Sequence, residues 1–177
     1  MGGASNLANN NYSVVVGGNG GTTRGIASNI VFPNISPFGA TIGSAQSALL
    51  VISRQTTDAT ATVLCSDSSA ASGTNQVILP NNSAYYFTGE IVAGVTGGGN
   101  TKGWNIAGVI KRGANAAATS IVGTATVTSS YADAGASTWA VTATADTTNG
   151  VLKITVTGQA STTIRWVAQI RTTEMTY

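Results

Sequence analysis

The run Thr163-Ile164-Arg165-Trp166-Val167-Ala168-Gln169-Ile170-Arg171-Thr172-Thr173 decides the fold. Ile164, Trp166, Ala168 and Ile170 fall on one side and Arg165, Val167, Gln169 and Arg171 on the other, the period of a strand that commits one face to a core. Lys102 to Arg112 repeats the pattern, with Trp104, Ile106, Gly108 and Ile110 set against Asn105, Ala107, Val109 and Lys111. Residues 119–128 supply another strand, and Tyr131-Ala132-Asp133-Ala134-Gly135 the turn after it. Ser137 to Ala145 places Trp139, Val141 and Ala143 together and runs into Asp146-Thr147-Thr148-Asn149-Gly150. Asn-Gly is a strong hairpin signal, because a type I′ turn needs positive φ at both central residues, so a tight turn and a return strand over 150–158 are expected. Five strands with turns about every ten residues predict a sandwich or barrel.

Helical periodicity is never convincing; Ala114 to Ala118 reads as a loop between strands. The glycine run Gly97-Gly98-Gly99 before Asn100 reads as a hinge that opens a C-terminal unit, residues 97–177. Residues 31–96 read as a β-meander. Within it Pro33 and Pro37 bracket Asn34-Ile35-Ser36, strands are expected over 48–54 and 59–65, and Ser66 to Asn75 forms a Ser/Ala/Gly loop. Ala84 to Val95 is a longer strand with Tyr85, Phe87, Ile91, Ala93 and Val95 on one side and Tyr86, Thr88, Glu90 and Val92 on the other. Residues 1–30 are rich in Gly and Asn. Tyr12-Ser13-Val14-Val15-Val16 is a β-branched run that a free linker would not need, so this part reads either as a β-roll-like coil or as a flexible leader.

Composition limits what such a scaffold does. Charged residues make up 8% of the chain against about 25% in an average soluble domain, so Thr, Ser, Asn, Gly and Ala must wet the surface. Eight basic residues and six acids are scattered, with no basic stripe to neutralise phosphates, which argues against nucleic-acid binding. With no histidine, a Cys–His nucleophile or a zinc site with His ligands is excluded. Cys65, the one cysteine, reads as a small buried hydrophobe in a strand. The acids Asp58, Asp67, Glu90, Asp133, Asp146 and Glu174 are widely separated and mostly in turns, a poor start for the paired carboxylates of a glycosidase. The glycine runs lack the Lys-Ser/Thr of a phosphate loop. No catalytic, cofactor-binding or metal-binding residue is assigned, and no enzyme is expected. No apolar stretch approaches a membrane span, and Met1-Gly2-Gly3-Ala4-Ser5 lacks the apolar core of a signal peptide.

Binding residues are sought among aromatics and cations instead. Trp104, Trp139 and Trp166 sit with aliphatic neighbours, which assigns them to a shared core rather than to a platform for sugar rings. Tyr85, Tyr86, Tyr131 and Tyr177 are better placed for exposed contacts. Arg165 and Arg171 share a face, with Glu174 close behind: either a solvated face or an intersubunit contact in which few charges set chain register. The binding set is Tyr85, Tyr86, Tyr131, Arg165 and Arg171.

Two stretches resemble known families. Ala4-Ser5-Asn6 followed by Asn11-Tyr12-Ser13-Val14-Val15-Val16-Gly17-Gly18 resembles one coil of the head repeats of trimeric autotransporter adhesins, which phage tail fibres share. In that family each coil stacks into a left-handed parallel β-roll and three chains wind together. Lys102 to Gly113, then Ile121-Val122-Gly123-Thr124, Tyr131 to Gly135, Trp139, Val156-Thr157-Gly158 and Ile164 to Glu174, resemble a module at the C-terminal end of bacteriophage fibre and other virion structural proteins. Together these resemblances imply an all-β chain of antiparallel β-sandwich or jelly-roll-like domains, intertwined as a homotrimer. The implied role is the tip of a tail fibre, made in the host cytoplasm and carried on the virion, that binds a host-surface glycan or protein without catalysis. The alternatives are a capsid decoration protein and, less favoured, a fragment of a polysaccharide-degrading tailspike. Met1-Gly2-Gly3 ahead of a lone coil is what an expressed C-terminal piece would show.

Overall fold

A computed structural model describes residues 3–35 and 38–177. Its strands are β1 (Val14–Val15), β2 (Ile30–Pro33), β3 (Ala45–Thr56), β4 (Thr62–Val63), β5 (Val77–Ile78) and β6 (Ser83–Val95). They continue as β7 (Thr101–Arg112), β8 (Thr119–Ala132), β9 (Ala140–Asp146), β10 (Val151–Thr157) and β11 (Ile164–Thr176). The chain is all-β, as its alternation predicts, and the only helical pieces among the described residues are single 3-10 turns, one of them Ala116–Ala118 in the loop expected there.

Seven strands form one sheet in the order β1-β2-β3-β11-β6-β7-β8, parallel at β1–β2 and antiparallel elsewhere. In the second sheet β9 lies along one side of β10, and β4 and β5 share the other. The two sheets pack face to face as a sandwich. Leu50, Ile52, Phe87, Ile91, Ile106, Ile110 and Ile170 of the large sheet meet Val141, Leu152, Ile154 and Val156 of the small one in a single buried cluster. Trp166 is its centre: its ring lies 5.5 Å from that of Trp104 and 5.9 Å from that of Trp139, both tilted. Its indole N–H donates to Thr56 Oγ at 3.0 Å, which satisfies the one polar atom that burial would otherwise strand. Cys65 is fully buried, and burial pushes its thiol pKa up.

Two expectations about organisation need correction. Residues 31–96 are not a meander, and Gly97 to Gly99 do not separate two units. β11, the last strand, inserts between β3 and β6 and pairs with both along its length, so both segments share one sheet and one core. The glycines are the loop that joins β6 to β7. Asn149-Gly150 does not make a two-residue turn either: Asp146 pairs with Val151 across a four-residue loop, and of that loop only Gly150 has positive φ. Asp146 organises the loop. Its Oδ1 accepts from the Thr148 and Asn149 amides at 2.8 and 3.1 Å, and its backbone carbonyl accepts from the Gly150 amide at 2.9 Å.

The Gly/Asn-rich start is folded, which rules out the flexible leader. Residues 3–34 form two stacked coils in parallel register, Ala4 against Asn19, Leu7 against Thr22, and Val14-Val15 against Ile30-Val31. Asparagine side chains tie one coil to the next. Asn6 donates to Gly17 O at 3.0 Å while its Oδ1 accepts from the Gly21 amide, 15 residues on, and Asn10 donates to Gly25 O across the same spacing. The coils join the sandwich through β2, which pairs with β3. Of the expected proline bracket only Pro33 is described, at the end of β2; Ser36 and Pro37 lie outside the described residues.

Candidate functional site

The face of the large sheet that points away from the core is uncovered. Strand alternation builds it, and register lines its residues up in rows. One row runs Ser53, Val167, Val92, Gly103 and Tyr131 across β3, β11, β6, β7 and β8. Another runs Phe32, Ser47, Thr173, Tyr86, Val109 and Val122 from β2 to β8. Val92 is 53% exposed, Val167 45%, Tyr86 51% and Tyr131 74%, high values for large apolar side chains on the regular part of a sheet. Exposed Arg165 and Arg171 stand on the same face, Arg165 donating to Gln55 Oε1 at 3.3 Å.

Four of the five expected binding residues, Tyr86, Tyr131, Arg165 and Arg171, are thus brought onto one surface. Tyr85 is not. It is 1% exposed and faces the core between the two sheets, so it has no part in surface contact. The reason is its parity with Phe87, Ile91 and Ala93 on β6. Burial raises its phenol pKa well above the ordinary value, and the nearby Glu174 carboxylate adds to the rise.

Between the two rows the face carries a depression of about 240 Å³ lined by Thr88, Glu90, Asn105, Ala107, Gln169 and Arg171. It is shallow and mixed in polarity, and Glu90 is its one carboxylate. Asp58, Asp67, Asp133 and Asp146 sit in turns or at strand ends, each accepting from nearby backbone amides. Among the described residues no three His, Cys, Asp or Glu side chains come together as metal ligands would. The arrangement offers exposed apolar and polar area on one face of the sheet.

One cluster escaped the reading of the sequence. Glu174 does not extend the outward face of β11 but points inward, buried, where Arg24 Nε meets its Oε2 at 2.9 Å. Gln46 Nε2 donates to the same oxygen at 2.8 Å and Thr172 Oγ to the other at 2.7 Å. Gln46 also exchanges hydrogen bonds with the backbone of Thr22, and Arg24 donates to Gly43 O, so a polar knot fastens the second coil to the sandwich. Parity was the available signal, since residue 174 belongs with 164, 166, 168 and 170.

The chain matches no protein-family model and none of the curated proteins compared with it.

Proposed function

We propose that the protein is a virion structural component, a homotrimeric tail-fibre tip that attaches a bacteriophage to the host surface by contact, with no bond made or broken. The uncovered face of the large sheet carries this reading. It puts Val92, Val167, Tyr86 and Val122 in solvent on a chain whose core is otherwise well formed, and apolar area of that kind on one face marks an interaction surface. A threefold contact joins two different patches of one surface, and the exposed apolar groups extend across this face, from Phe32 on β2 through Val167 and Val92 on the central strands to Val122 and Tyr131 on β8.

Two further features support it. The coils of residues 3–34 stack in parallel, and a β-solenoid is the construction that the resemblance to adhesin and tail-fibre repeats implies. Burying sheet faces between copies lets a chain with few charges and one cysteine remain folded outside the cell. Three copies would then multiply weak single-site affinity.

The experiment is a sedimentation assay with fluorescently labelled protein, host cells and purified capsids. Binding to cells is the expected result. Binding to capsids with none to cells would make the protein a decoration protein instead. Degradation of host polysaccharide, abolished by Glu90→Ala or Asp133→Ala, would make it an enzyme.

A further inference from the structure

A second surface lies away from the sheet face, in the groove of about 490 Å³ between the outer corner of the first coil and the loop that follows Cys65. Its walls come from two parts of the chain, held in place by the Ala27 amide donating to Thr74 O at 3.0 Å and by Ser28 N donating to Asn11 O at 3.1 Å. The volume falls in the range of small-molecule sites.

Its chemistry is specific. Tyr12 is 91% exposed, the most exposed large apolar side chain among the described residues, and sits at φ 58°, a left-handed conformation that tyrosine rarely adopts. The strained turn holds the ring out into solvent beside the groove, with little of it covered by the described residues. Opposite, Asp67 is fixed through Oδ1, which accepts from Ser69 N at 3.0 Å, Ser69 Oγ at 2.6 Å and Asn75 Nδ2 at 2.9 Å. These bonds lower its pKa, so it is a carboxylate at neutral pH, and Oδ2 has no hydrogen-bond partner among the described residues. The Asn11 side-chain amide is likewise unengaged. Ser66 adds a further wall residue beside Asp67.

We propose that this groove binds a neutral saccharide. An exposed aromatic ring covers the C–H face of a pyranose, while a rigid carboxylate and an amide take hydroxyl groups that present donors and acceptors side by side. The carboxylate disfavours acidic sugars relative to neutral ones, because a second negative charge next to Asp67 is unfavourable. Arg54, which donates to Ser68 O at 3.0 Å, partly offsets that charge from outside the groove and is not among its lining residues. The inference rests on the attachment reading for its role, the saccharide being part of the host surface, but its chemistry stands on the groove alone.

The test is a titration of the ¹⁵N-labelled chain with glucose, galactose, mannose and N-acetylglucosamine, with N-acetylneuraminic acid as the acidic comparison. At least one neutral sugar is expected to move the amide signals of Asn11, Ser28, Asp67 and Thr74. Tyr12→Gly, which removes the ring and suits the positive φ, should weaken that binding at least about threefold, Tyr12→Trp should retain it, and Asp67→Asn should weaken it. An unchanged Trp166 indole signal shows that each variant is folded. No response to any neutral sugar, or a response indifferent to Tyr12→Gly, overturns the proposal, as does tighter binding of N-acetylneuraminic acid. Host-cell binding separates the two readings. Cell attachment that survives Tyr12→Gly overturns the groove as the receptor site and leaves attachment intact, whereas sugar binding by a protein that binds no cells counts against attachment alone.

Discussion

Arg24, in the second coil, and Glu174, on the last strand, meet at 2.9 Å across 150 residues of chain, with both side chains almost wholly buried. The pair joins the coils to the sandwich and links the beginning of the described fold directly to its end. Removing either partner strands the other charge. Arg24→Ala and Glu174→Ala are each expected to lower stability by about 3–5 kcal/mol, and the double variant by clearly less than their sum. Urea denaturation of the four proteins in the cycle measures the coupling; additive losses would show that the two charges do not interact.

Trp166 bridges the other two tryptophans and is fully buried, so Trp166→Ala should cost about 3–5 kcal/mol. Thr56→Val keeps the shape but takes away the acceptor of its indole N–H, and a loss of about 1–3 kcal/mol is expected. Thermal unfolding checks both. A Thr56→Val protein as stable as the parent would mean that the indole finds another acceptor.

Tyr85 and Tyr131 separate core from surface. Tyr85→Ala should destabilise by about 3–5 kcal/mol, whereas Tyr131→Ala, at a position 74% exposed, should leave the unfolding free energy of the isolated chain within about 0.5 kcal/mol. Equal effects would contradict their assignment to opposite faces of the sheet.

Asp146 makes the β9–β10 loop sensitive to acid. Burial would raise its pKa, but hydrogen bonds from Asn149 and Thr148 outweigh this and hold it below the ordinary carboxylate value. A carboxylate whose folded pKa is depressed contributes stability that is present above its unfolded pKa and lost as pH falls through the folded one. Asp146→Ala is therefore expected to lower stability by about 1 kcal/mol near pH 7, with the difference from the parent shrinking toward about pH 2. Urea midpoints across that range test it; a difference independent of pH would show that the charge is not what holds the loop.

Alternation made the two faces of β6, β7 and β11 legible from residue types alone, and with them the core tryptophans and four of the five surface residues. Parity also assigned Tyr85 and Glu174 inward. Tyr85 was nonetheless set among the exposed contacts and Glu174 beside the outward Arg165 and Arg171, and the partner that makes burial tolerable for Glu174, Arg24, lies 150 residues away in the Gly/Asn-rich segment read as either a coil or a leader. Strand order was not legible: parity says which way a side chain points, but β11 lies between β3 and β6 through long-range pairing that no local pattern encodes. The second coil was hidden for a similar reason. Ile30-Val31 stacks on Val14-Val15, but the bonds that set the repeat come from Asn6 and Asn10 in the first coil to backbone atoms in the second, which any residue supplies. The saccharide groove joins Tyr12 to Asp67 across two such segments, so it too exists only in the folded chain.

Self-association through the open sheet face is the central claim, and Val92 and Val167, directly opposite each other on β6 and β11, are its most exposed adjoining apolar pair. Native mass measurement of the parent and of the Val92→Lys, Val167→Lys double variant tests it most directly. The account predicts a parent at three times the chain mass and a folded, monomeric variant; a monomeric parent, or a variant that remains a trimer, would contradict it.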